Sequence, residues 1–90
     1  MNTEESFYGL VAAYFQRPRQ KLHSNTRFRK DLKGDGFDLL SLTFLTEERF
    51  HCHLRDELLH TTMTLGQFSF MVDCAVNGKD PLEERTDENL

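Results

Sequence analysis

An all-α fold, with three main helices, one short helix and a long first loop, is what this sequence predicts. Three observations carry it. Apolar residues recur at helical spacing in three separate segments, helix-start and helix-stop residues bracket those segments, and no run alternates apolar and polar residues as a half-buried strand would. Ninety residues suit one small domain with a single core. Eight phenylalanines within 38% apolar content supply the means to fill it.

The first helix is expected from about Thr3 to Gln16. Phe7, Leu10, Val11, Tyr14 and Phe15 fall at i, i+3, i+4, i+7 and i+8, which is one apolar stripe. Asn2 or Thr3 can cap it, Glu4 and Glu5 suit the positive end of its dipole, and Pro18 disfavours helical geometry at Arg17. A polar connection through about Lys33 follows, longer than most loops, with Phe28 and Leu32 available to pin it to the core. The second helix should begin at the Gly34-Asp35-Gly36 turn, with Asp35 as cap, and run to about Phe50. One helical turn is expected near Asp56–His60. Thr64-Leu65-Gly66-Gln67 is a capping box, and Leu65, Phe68, Met71, Val72, Ala75 and Val76 follow it at helical spacing up to the Asn77-Gly78 stop. The domain thus spans residues 1–78, and 79–90 form an acidic tail, expected to be flexible, whose one apolar anchor is Leu82.

Charge and cysteine usage narrow the function. Residues 1–34 carry seven Lys/Arg against three Asp/Glu, whereas residues 35–90 carry four against twelve. The acidic part would repel nucleic acid, and the basic part holds no stacking or groove-reading motif. No segment approaches the roughly 20 apolar residues that cross a bilayer, and the first ten residues hold acids where a signal peptide needs positive charge. The cytoplasm is therefore the expected compartment. Cys52 and Cys74 form no CxxC pattern and read as reduced thiols that are at least partly buried.

Two metal readings fail, one on residue type and one on spacing. Counted as a calcium loop from Asp31, the segment places Lys33 and Leu42 at ligand positions. His51, Cys52, His53, His60 and Cys74 match no usual zinc spacing. A Cys-His catalytic pair lacks any sign of an oxyanion hole or an orienting third group, so no enzymatic activity is expected.

The second helix is unusual because it carries two apolar stripes. Leu39, Leu42, Thr46 and Phe50 make one, with Leu45 beside it; Phe37, Leu40 and Phe44 make another, rotated well around the axis. Either the helix is central and fully buried, or the second stripe meets a partner or lines an opening. Asp35, Asp38, Glu47 and Glu48 frame that stripe, and apolar contacts in an acidic frame suit a basic, partly apolar protein surface.

The segment "TRFRKDLKGDGFDLLSLTFLTEERF" resembles the loop and second helix of an acyl carrier protein. In that family a phenylalanine stands three residues before Asp-Leu, then comes Asp-Ser-Leu, then an apolar-acidic helix ending in Glu-Glu-x-Phe. Here Phe28 precedes Asp31-Leu32, Asp35-Gly36-Phe37 holds the Asp-Ser-Leu position, and Glu47-Glu48-Arg49-Phe50 closes the helix. The likeness continues without a gap through Leu54, Asp56-Glu57 and Met63-Thr64-Leu65-Gly66-Gln67-Phe68, and covers about residues 4 to 77. The resemblance implies an acyl-carrier-like four-helix bundle that docks on fatty-acid or polyketide-type enzymes. It also implies a 4'-phosphopantetheine arm on the motif serine, but Gly36 stands there and has no side-chain oxygen. The expectation is a carrier-like binding protein without a cofactor, a scaffold or regulatory subunit. The alternative is a working carrier loaded at Ser41, or one whose native residue 36 is serine.

Overall fold

The computed structural model describes residues 2–83 of the chain. Three α-helices, α1 (Thr3–Phe15), α2 (Gly36–Phe50) and α3 (Leu65–Val76), are separated by two 3-10 turns at Arg19–Lys21 and Asp56–Leu58. Among the described residues the extended structure is limited to an isolated antiparallel bridge between Arg27 and Thr64, so the fold is a small helical bundle. The short helical turn expected near Asp56–His60 is the second 3-10 turn, and the first was not anticipated. No helix among the described residues is long and apolar enough to cross a membrane.

Each helix starts where side-chain chemistry can satisfy its first N–H groups. Asn2 accepts the Glu5 N–H at 2.7 Å and caps α1. At α2 the Asp35 carboxylate accepts the Asp38 N–H, and the Asp38 carboxylate accepts the Asp35 N–H, a reciprocal capping box. Thr64 and Gln67 form the equivalent box at α3. The ends are less conventional. α1 stops at Phe15 because Gln16 turns left-handed (φ 54°), one residue earlier than the Pro18 argument gives; α2 ends the same way at His51 (φ 52°).

α1 packs against both α2 and α3. Phe7, Val11, Phe28, Leu42, Leu54, Leu65, Phe68 and Val72 are fully buried, and Phe7 meets Phe68 with ring centroids 4.8 Å apart. The long first loop belongs to this core. Leu22, Phe28 and Leu32 are buried, and the Phe28 ring meets Phe15 edge-on at 5.5 Å. The loop is also bonded to the segment leading into α3. Phe28 and Arg29 donate their N–H groups to the Met63 and Thr61 carbonyls, while Leu65 and Gly66 donate theirs to Thr26 and Ser24. Two of the orphan N–H groups of α3 are thereby satisfied by loop carbonyls rather than by water.

At the C-terminal side, Asp80 lies 3.3 Å from the Arg55 guanidinium and Pro81 is buried, whereas Leu82, expected to be the anchor, is 46% exposed. The acidic tail from residue 84 onward lies outside the described residues.

Candidate functional site

The geometry of α2 separates its two stripes. The inner one holds Leu42 and Thr46 at zero exposure, with Leu39 and Phe50 half-buried. Thr43 and Thr46 can be buried there because each hydroxyl donates to the carbonyl four residues back, at 2.7 Å. The outer stripe faces solvent: Phe37 is 82% exposed, Phe44 62% and Leu40 52%. The fully buried central helix is thus excluded for this chain. Leu45 was placed beside the inner stripe and belongs to the outer surface instead, being 41% exposed. Exposed apolar area of this kind, gathered on one helix face, is a feature of docking surfaces.

At 100° per residue, Phe37, Leu40, Ser41, Phe44, Leu45 and Glu48 share one side of the helix, and all six are exposed. The site residues named from sequence are therefore brought together, with two corrections to the acidic frame. Glu47 is not a free steering charge: its carboxylate accepts the Leu54 N–H at 2.8 Å and sits 3.4 Å from His53 Nδ1, with only 20% of the side chain exposed. It anchors the link after α2. Asp38 is likewise engaged, accepting the Asp35 N–H and the Tyr14 hydroxyl at 2.9 Å. Glu48 remains, exposed and without a hydrogen-bond or ion-pair partner among the described residues; Asp35 at the helix start is exposed too, with its carboxylate accepting the Asp38 N–H at 2.9 Å.

The Tyr14–Asp38 bond was not anticipated, because Tyr14 could be assigned only to the apolar stripe of α1. It ties α1 to the first turn of α2. The Asp35 backbone N–H, and then the Tyr14 hydroxyl, hold the Asp38 carboxyl below its ordinary value. The same bond to Asp38 raises the Tyr14 phenol, with the Ser41 hydroxyl pulling the other way.

Gly34 and Gly36, two residues apart, have opposite surroundings. A Cβ on Gly34 would sit 2.4 Å from the Phe28 ring, so the turn needs glycine there for close approach. A Cβ on Gly36 would meet nothing within 4 Å, and its φ is not in the left-handed region. Nothing in the packing requires glycine at the first position of α2. As it stands, Gly36 offers no oxygen for a phosphodiester, so the residues present do not fit a 4'-phosphopantetheine arm at that position. Ser41 does carry an exposed hydroxyl, but more than a turn into the helix.

Cys52 is half-buried and Cys74 buried, and neither forms a disulfide. Burial, and then the Glu47 carboxylate, push the Cys52 thiol up, away from nucleophilic character. No group of three His, Cys, Asp or Glu among the described residues could hold a metal ion. No protein-family model matches the chain, and no curated protein matches it.

Proposed function

We propose that this chain is a carrier-like docking protein that acts without a covalent cofactor. It uses the outer face of α2 to bind a basic, partly apolar surface on a fatty-acid or polyketide-type enzyme in the cytoplasm, as a scaffold or regulatory subunit. The observation that carries this reading is the exposure of Phe37 and Phe44, 82% and 62%, on a helix whose other side is core. Leu40 and Leu45 extend the apolar contact, and Asp35 and Glu48 contribute the charge that would orient a basic partner. The acyl-carrier resemblance supplies the class of partner, and the missing oxygen at Gly36 supplies the absence of loading.

The test is direct binding of the chain to a purified ketosynthase of fatty-acid type, in competition with a true acyl carrier protein. The expected result is saturable, competable binding that Phe44→Glu abolishes while helical content stays the same. Binding unaffected by Phe44→Glu, or no competition, would remove the reading.

A second reading, a working carrier, is favoured by the open space at Gly36, which would accept a serine. Incubation with coenzyme A and a broad-specificity phosphopantetheinyl transferase, followed by intact mass, separates the two. An adduct on the chain as it stands would locate the arm on Ser41 and replace the non-covalent reading; an adduct on Gly36→Ser alone would show that the surrounding frame is still recognised.

A further inference from the structure

The first loop carries a second candidate site, unrelated to the α2 face. A cleft of about 450 Å³ is lined by Arg27, Arg29, Lys30, Thr61 and Thr62. Its arrangement follows from the pairing of the loop with the segment before α3. Phe28 is turned fully into the core, which leaves Arg27 and Arg29 pointing outward on either side of it. The backbone beneath them is held by the Arg29 N–H to Thr61 and the Phe28 N–H to Met63, and within the turn by Asp31 to Arg27 and Lys33 to Arg29. The cations therefore stand on a fixed base.

Arg27, Arg29 and Lys30 make no ion pair among the described residues, in contrast to Arg19 and Arg55, which do. Asp31, the acid next to Lys30 in sequence, accepts the Arg27 backbone N–H at 2.7 Å rather than a guanidinium. The first N–H groups of α3 are already used by Thr26, Ser24 and Thr64, so any anion here would be held by side chains alone.

We infer that this cleft binds a small molecule carrying two linked phosphates. Each guanidinium can grip one phosphate with two parallel bonds, Lys30 adds a third cation to the same lining, and the threonine hydroxyls can donate to remaining oxygens. The cleft volume lies in the range of about 300–1,000 Å³ typical of small-ligand sites, leaving room for an organic group beyond the phosphates. A long polyanion fits less well. The whole chain carries a net charge of −4, and no aromatic side chain lines the cleft to stack a base.

The test is calorimetric titration of the full chain with sodium pyrophosphate in about 50 mM salt, where screening is modest. A saturable isotherm with a dissociation constant under about 1 mM is expected. Arg29→Gln should weaken it at least about tenfold, as loss of one charge-assisted contact implies. Arg17→Gln, the same change in net charge at an exposed site outside the cleft, should change it less than about twofold. Asp31→Asn, which keeps an acceptor for the Arg27 N–H and removes a negative charge, should tighten binding. Orthophosphate should bind about tenfold more weakly than pyrophosphate, since it fills one fork only. Four results would each overturn the proposal: no saturation with pyrophosphate, equal loss from Arg17→Gln, orthophosphate binding as tightly as pyrophosphate, or stronger binding to phosphatidylserine vesicles or single-stranded DNA than to pyrophosphate.

Discussion

The two long sides of α2 are built from similar residues and have opposite fates. The buried side includes two threonines, Thr43 and Thr46, while the exposed side carries two phenylalanines. Composition alone would have assigned them the other way round, since burying a phenylalanine stabilises by about 1.5–3 kcal/mol. The threonines are tolerated inside because their hydroxyls are satisfied within the helix, at no cost in unpaired groups. The phenylalanines stay outside although the core already contains Phe7, Phe28 and Phe68 at zero exposure. What separates the faces is register against α1 and the loop, not hydrophobicity. Two phenylalanines left mostly in water add little to the core, which is why the docking proposal rests on them.

That contrast is broken most severely from the inside. Leu42 is fully buried within the hydrophobic core, so Leu42→Ala should cost about 2–5 kcal/mol, measured by urea denaturation. In a domain of this size such a loss is a large part of total stability. A cost under about 1 kcal/mol would mean that the inner face is not the core.

The next effect separates the two glycines at the head of α2. Gly34→Ala forces a methyl to within 2.4 Å of the Phe28 ring and should cost about 1–3 kcal/mol through displaced packing. Gly36→Ser meets open space and should leave stability within about 0.5 kcal/mol. Thermal melts of the pair settle it; equal effects would show that the two positions do not differ as described.

Much of this division was legible in the residue pattern. The start of α2 at Asp35, the T-x-x-Q box of α3 and the buried Phe28 and Leu32 all rest on local chemistry that a few adjacent residues determine. The two α2 stripes were likewise visible, with Phe37, Leu40 and Phe44 as the candidate outer one, but whether the helix would be buried on both sides was not, because that depends on how α1 sits against it. The same limit explains Leu45, whose i+3 spacing from Leu42 put it beside the inner stripe when its angle in fact places it outside. Tyr8 was missed as a core residue because it lies one position off the α1 stripe. Its burial is bound up with Arg19, whose guanidinium lies 4.5 Å from the ring centroid while also pairing with Glu5. Glu47 and Asp38 were read as surface charges because their partners, the Leu54 N–H and the Tyr14 hydroxyl, come from other parts of the chain. Side-chain bonds across elements leave no periodicity to find.

The Tyr14–Asp38 bond sharpens the comparison at intermediate size, because it joins the outer rim of α2 to the core helix α1. Tyr14→Phe should cost about 1 kcal/mol at neutral pH, the net value of one hydrogen bond. The difference from the unmodified chain should depend on pH at both ends. The folded state lowers the Asp38 pKa from 3.8, so the stabilisation is present above that value and fades as acid protonates the folded carboxylate. The folded state raises the Tyr14 pKa from 10.0, so the phenol's contribution is present below pH 10 and is lost as pH rises through the higher folded value. Denaturation midpoints across pH should show the gap between the two proteins open in the middle and closed at both extremes. A constant gap would mean that the hydroxyl acts through packing alone.

The smallest effect on stability should come from the residues that matter most to the proposed docking. Phe37→Ser and Phe44→Ser each remove a large apolar side chain, yet at 82% and 62% exposure most of that surface never left water. Each should therefore change the unfolding free energy by no more than about 0.5 kcal/mol, the range of ordinary surface substitutions. Both should lower the tendency of the free chain to bind a hydrophobic dye, because they shrink an exposed apolar patch. Should Phe44→Ser instead destabilise by as much as Leu42→Ala, the two sides of α2 would be energetically alike. The outer stripe would then be core in solution, and the helix would have no spare face to offer a partner.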